Sequence, residues 1–174
     1  MSNQRDKLHI MPNIMFKHAS AFLDCTYFCH TEVDLKNTSF RLTQHLGIPD
    51  IVILCFACEV FMKSLLILNG KTEDEVRGIG HHLQKLWEEY EKIDSVSAQN
   101  FLSFFSRNYS KQAFDNIIKI IDNNFQDVRY LYETINVHTD RTFLLYLCMD
   151  LREFCCEKIH GCKWDEFVAN GCNW

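Results

Sequence analysis

Proline and glycine are nearly missing from this chain, with 2 and 6 copies in 174 residues. Both residues interrupt regular backbone, so their scarcity argues against a loop-rich or low-complexity chain and favours helices. A Lys/Arg run is also lacking, and the formal net charge is −5 with the eight histidines neutral. An acidic chain is not drawn to nucleic acid by bulk attraction, so any such contact needs a local basic patch. No internal repeat, domain linker or convincing apolar/polar alternation is present, which argues against repeat arrays and sheets. The opening residues, MSNQRDKLHIMPN, hold no continuous apolar segment, so no secretory leader is expected.

What remains is a globular chain, 47% hydrophobic and 24% charged, of a length that fits one domain with a real core. Nine cysteines are an odd number, and many fall inside apolar helical stretches. They read as free thiols buried as small hydrophobes, in a reducing cytoplasm, and not as a disulfide scaffold.

The apolar spacing predicts a series of helices. Pro12 suits a first helical turn, and Met15, Ala19, Phe22 and Thr26 follow at helical spacing to about His30, with Phe16 and Leu23 widening the face. Residues 32–48 read as mixed and irregular, with one helical turn. Pro49 and Asp50 open a central helix, IVILCFACEVFMKSLLIL, apolar almost all round and stopped by Asn69-Gly70. Thr72, followed by Glu73, Asp74 and Glu75, reads as a capped helix start. Leu83, Leu86, Trp87 and Tyr90 mark the next helix, and Phe101, Leu102, Phe104 and Phe105 a short one. A long stripe then runs through Phe114, Ile117, Ile118, Ile121, Phe125, Val128 and Tyr132. The last major helix spans about Asp140 to Ile159 and ends at His160-Gly161. The expected fold is all-α: a single domain over 1–174, a bundle of about five to six helices around a central buried helix, with 161–174 a C-terminal tail.

The central run invites a second reading as a membrane span. Glu59 and Lys63 lie near its middle. A central lysine alone costs roughly 2.5–3.5 kcal/mol on insertion, and the stretch is at the short end of the required length. A buried helix with no membrane partner is therefore expected.

Three pieces of the sequence carry a family resemblance. Glu59, Lys63, Ser64, Leu65 and Leu66 form an apolar helix with E-x-x-x-K-(small)-L-L. Asn69, Gly70 and Lys71 follow, and then Gly80, His81, Leu83 and Leu86 as G-H-x-L-x-x-L. Further on comes DVRYLYE at residues 127–133. In order and spacing these resemble the HEPN domain (higher eukaryote and prokaryote nucleotide-binding), over residues 50–92 and around 125–133. The resemblance implies a bundle of four or five helices, often a homodimer, acting in toxin–antitoxin or phage-defence systems, sometimes beside a nucleotidyltransferase-type partner protein. It implies an RNA or nucleotide ligand and no cofactor. Active members are metal-independent endoribonucleases with Arg, four to six residues, then His on a late helix, doubled across a dimer cleft; other members only bind or scaffold.

Metal-free RNA cleavage needs a histidine to move protons and an arginine to hold the phosphorane charge. Arg77 and His82 satisfy the literal spacing, but lie in the structural G-H-x-L element, and read as coincidence. Arg152 and His160 sit on the late helix and are the candidate catalytic pair. Seven residues separate them, roughly 12 Å along a helix axis at about 1.5 Å per residue. That departure from the active pattern favours a binding or protein-interaction module, with the endoribonuclease as the alternative. Glu59 and Lys63, four apart with Glu first, read as an intrahelical ion pair at the edge of a buried helix. The functional reading has Glu59 holding His81 or Arg129, in a polar network with Lys63 and Tyr130. His81 is expected to cap or orient its helix, and His82 to face solvent.

The tail CCEKIHGCKWDEFVANGCNW brings Cys155, Cys156, His160, Cys162 and Cys172 close in sequence, soft ligands in number enough for zinc. No C-x-x-C knuckle is among them, and Cys55 and Cys58 form one only inside an apolar helix. Buried thiols are expected and no metal site; Trp164, Phe167 and Trp174 are expected to pack.

Overall fold

The structure, a computed structural model, describes residues 12–36, 47–105, 110–128 and 141–171. Among these are eight helices and no strand: α1 (Pro12–Lys36), α2 (Gly47–Leu68), α3 (Glu73–Ile79), α4 (Leu83–Ile93), α5 (Ser95–Phe105), α6 (Lys111–Val128), α7 (Arg141–His160) and α8 (Trp164–Ala169). The chain is an all-α bundle, as its composition predicts.

Helix α2 is the axis. It packs against α1, α3, α4, α6 and α7, and Leu54, Ala57, Cys58, Phe61, Leu65 and Leu66 have no exposed surface. The stretch Asp50–Leu68 is long and apolar enough to cross a membrane, yet 56% of it is buried inside the bundle. More than half of it is therefore covered by other helices, which is how a helix without a polar face is stabilised in a core. Its end is a Schellman motif. The Gly70 amide donates to the Ile67 carbonyl at 3.0 Å and the Lys71 amide to Leu66 at 3.1 Å. Gly70 makes this turn at φ 90°, a conformation that side chains with a Cβ disfavour. Thr72 then starts α3 with a capping box: its amide donates to Glu75 Oε2 at 2.8 Å and its Oγ1 accepts from the Glu75 amide at 3.3 Å.

Ring contacts fix the directions of the helices around α2. Phe16 lies 6.1 Å from Phe61 and Phe22 lies 6.4 Å from Phe56, so α1 runs antiparallel to α2. Cys58 meets Cys148 and Ser64 meets Cys155, so α7 runs parallel to α2. On the other side an aromatic cluster joins four helices. Phe101 of α5 sits 5.3 Å from Trp87 of α4, and Phe105 sits 5.3 Å from both Phe114 of α6 and Phe143 of α7. Such pairs add about 0.5–1.5 kcal/mol each beyond their area burial.

Several elements differ from expectation. Residues 32–36 continue α1 where irregular chain was expected, and α2 begins at Gly47, two residues before Pro49. Pro49 is tolerated there because first-turn amides have no intrahelical acceptor. The buried face of α1 is Phe16, Ala19, Leu23 and Thr26, while Phe22 lies at the rim. Eight helices replace five to six, because the Gly-interrupted turn before Leu83 forms α3 and the tail forms α8. The tail helix packs: Phe167 is buried, and Trp164 stacks on it at 5.7 Å. Phe125, Val128 and Tyr132 of the long stripe, and Cys172 and Trp174 of the tail, lie outside the described side chains.

Phe61 is fully buried at the crossing of α1 and α2. Phe61→Ala is expected to destabilise the fold by about 3–5 kcal/mol through lost burial and a residual cavity. Val96→Ala, at an exposed site, should change stability by no more than about 0.5 kcal/mol. Chemical denaturation of both variants checks the contrast.

Candidate functional site

Glu59 is a carboxylate midway along the apolar helix α2, and its side chain is 5% exposed. It is satisfied from two directions. Lys63, one turn later, donates from Nζ to Oε1 at 2.8 Å. His81, just before α4, lies with Nδ1 2.9 Å from Oε2 and 3.1 Å from Oε1. A carboxylate only accepts, so the His81 hydrogen is on Nδ1. The intrahelical pair and the long-range contact, two readings of the sequence, thus coexist in one cluster. The His81 side chain is 47% exposed, so the network opens to the surface. The edge of its ring meets Phe56 at 6.4 Å.

His82 turns the other way. Its Nδ1 lies 3.5 Å from Asp122 Oδ2 of α6. Asp122 Oδ1 also accepts the Leu83 amide at 2.6 Å. Asp122, and not His81, therefore caps α4. His82 occupies the N-cap position without a side-chain cap bond, and it faces a carboxylate as well as solvent. The Gly80-His81-His82 turn clamps α4 between the core helix and α6. Gly80 permits it at φ 73°. Arg129 and Tyr130, the other expected members of this network, lie outside the described residues.

The two arginine–histidine pairs are not joined. Arg77 is exposed on α3 and contacts Asp74 at 3.3 Å, while His82 faces Asp122. Arg152 donates from Nη1 to Asp24 of α1 at 2.8 Å, and its side chain is 13% exposed. The guanidinium carbon lies 4.4 Å from the centre of the Trp164 ring. His160 is enclosed by aromatic rings, 4.3 Å from Phe167 and 5.4 Å from Phe16. Its Nε2 is buried with no hydrogen-bond partner. Burial, with help from the Lys17 charge, pushes the His160 pKa below its usual value. Helix α8 closes this corner, with the Trp164 amide donating to Glu153 Oε2 at 3.2 Å.

Other polar groups went unread in the sequence. Asp94 caps α5, accepting the Ser97 amide at 3.0 Å. The Ser97 hydroxyl, and then that amide bond, hold its pKa below the usual carboxylate range. Lys158 of α7 donates to the Ser97 hydroxyl and sits 3.7 Å from Asp94. An Asp three residues before a Ser at a helix start is a legible capping signal. Lys158 and Asp122 act across long sequence separations and leave no local signal. Between α5 and α7 lies a cleft of about 150 Å³, with Phe101, Phe104 and Phe154 beside Asp150, Glu153 and Glu157. Burial and the neighbouring Glu153 push Asp150 up to about 6. The cleft is smaller than the roughly 300–1,000 Å³ of a typical small-molecule site. Among the described residues no group of three or more His, Cys, Asp or Glu is arranged to hold a metal ion.

Compared with protein-family models, curated proteins and solved structures, the chain matches none.

Two outcomes follow from this geometry. Asp122→Ala strips the α4 cap and should cost about 1–2 kcal/mol in urea denaturation, while Asp122→Asn retains most of it. Burial depresses the folded pKa of His160, favouring the neutral ring. Its contribution is fully present above the unfolded value near 6.5 and is lost as pH falls from there through the folded value. Melting temperature should therefore drop more steeply on acidification in wild type than in His160→Leu, measured from pH 7.5 downward.

Proposed function

We propose that the chain is a HEPN-like helical domain acting as a nucleotide- or RNA-associated binding or protein-interaction module that does not itself cleave RNA. A homodimer in the cytoplasm, within a toxin–antitoxin or phage-defence system and beside a nucleotidyltransferase-type partner, is the setting that the sequence resemblance suggests. The observation that carries the non-catalytic reading is the engagement of Arg152 and His160. A guanidinium that stabilises a phosphorane must present its donors to the phosphate; that of Arg152 is bonded to Asp24 and lies over the Trp164 ring, on a side chain 13% exposed. A histidine that moves protons needs a nitrogen within reach of substrate and a pKa near the working pH. His160 has a buried Nε2 and a lowered pKa. The all-helical bundle is compatible with the family resemblance. His81, surface-open and braced by a buried carboxylate, is the polar group best placed to meet a ligand.

The test is RNA cleavage in excess EDTA by wild type and His160→Ala. Neither is expected to cut. Cleavage by wild type alone would make His160 catalytic and establish the metal-independent endoribonuclease alternative. Equal cleavage by both would direct attention to His82 or to a contaminant.

A further inference from the structure

Cys58 of α2 and Cys148 of α7 are fully buried, and their sulfurs lie 3.2 Å apart. Closing that gap to a disulfide of about 2.05 Å needs only about 1.2 Å of approach. The backbones around the pair are close. Cys148 Sγ is 3.2 Å from the Leu54 carbonyl of the facing helix, and one heptad on, Cys155 Sγ is 3.8 Å from the Phe61 carbonyl. A cysteine reaches another helix's main chain only where the two helices nearly touch. With both thiols present, the hydrogens have a consistent arrangement: Cys148 donates to Leu54, and Cys58 donates to Cys148. Within the Cys55-x-x-Cys58 motif, the Cys58 sulfur meets Cys148 across the helix interface.

We propose that Cys58 and Cys148 are a modification site: under hydrogen peroxide they join as an intramolecular disulfide that staples the core helix α2 to α7. In the first step the thiolate of one cysteine attacks a peroxide oxygen, giving a sulfenic acid and, after proton uptake, water. In the second the other thiol attacks the sulfenic sulfur, the S–S bond forms and a second water leaves. Each peroxide takes two electrons from two thiols, and no other reactant is needed. Burial and the Cys148 hydrogen bond keep the Cys58 thiol protonated in the closed protein. The reaction therefore runs through transiently opened molecules and is slow, and it is favoured over scrambling because reclosure returns these two sulfurs to contact. Among the described residues, the exposed Cys25, and Cys162 beside Cys156, are the competing thiols.

The experiment uses the full chain, reduced, then exposed to hydrogen peroxide over hours, in buffer and in urea near the onset of unfolding, followed by alkylation and tryptic digestion without reductant. Cys148 is the only cysteine of the peptide 142–152, and Cys55 and Cys58 share the peptide 42–63. The expected product is those two peptides linked, about 2 Da below their summed mass, formed faster in urea. It should persist in Cys55→Ser and vanish in Cys58→Ser and Cys148→Ser. Oxidised wild type should also melt several degrees above the reduced protein, a shift that Cys55→Ser retains. The proposal is overturned if the peptides stay unlinked while other thiols oxidise, if 142–152 pairs with the peptides of Cys25 or Cys162, or if Cys55 supplies the sulfur. Because fragmentation of the wild-type linked peptide shows which of Cys55 and Cys58 carries the alkyl group and which the S–S bond, poor folding of either serine variant leaves the test intact.

Discussion

A carboxylate in the middle of an apolar helix must find donors before that helix can be buried. Glu59 is such a carboxylate, and the interior of the bundle is arranged around its satisfaction. Lys63 supplies one donor from the same helix, which needs no tertiary structure. His81 supplies the other, and this requires α4 to start where it does. Removing a buried charge's partner typically costs several kcal/mol, more than an exposed pair contributes. The Glu59 cluster thus acts as a positional constraint: α4 cannot slide along α2 without stranding a charge. His82 and Asp122 add a second constraint from α6. Two adjacent histidines, pointing to different helices, convert one turn into a three-helix joint.

The legible parts of the sequence were those governed by local physics. Asn69-Gly70 is a helix stop because glycine alone tolerates the left-handed turn, and the Schellman bonds are formed there. Thr72 and Glu75 form a capping box because both partners lie within one turn. The apolar run from Ile51 to Leu68 marks the central helix without reference to its neighbours. On α1 the expected Ala19 and Thr26, with the flanking Phe16 and Leu23, are buried, while Met15 and Phe22 of the same stripe lie toward its rim. Periodicity gives a face and not its rim, because rim position depends on which helices pack alongside. Helix α8 was missed for a related reason. Six residues are too few to be stable as an isolated helix, and it exists because Glu153 accepts its first amide and Arg152 and Phe16 cover its rings.

The candidate site divides along the same line. The Glu59–Lys63 pair is written in one turn of sequence. Its contact with His81 spans twenty-two positions, and only the oddity of a charge in an apolar run hinted that something distant must meet it. Asp122 carries no such oddity, since an aspartate on an amphipathic helix is ordinary, and its capping role is invisible until α6 and α4 are placed side by side. Asp24, the partner of Arg152, is equally silent.

That silence bears on how Arg152 and His160 are weighed. Sequence spacing treats the two as free groups on a shared helix face. In the folded chain each belongs to the packing of α7 against α1 and α8, through Asp24 and Trp164 for the arginine and Phe16 and Phe167 for the histidine. A second copy of the chain would need to displace those contacts to recruit the pair, losing a charge-assisted bond and re-exposing aromatic surface before gaining a phosphate contact. Catalytic preorganisation works in the opposite sense, since its donors are aimed at the reacting atoms before substrate arrives. Structural engagement of this kind places both residues in the packing of the bundle, with neither the Nη1 of Arg152 nor the Nε2 of His160 aimed at a reacting atom. It also separates them from His81, whose ring is braced on one side by a buried carboxylate and open on the surface.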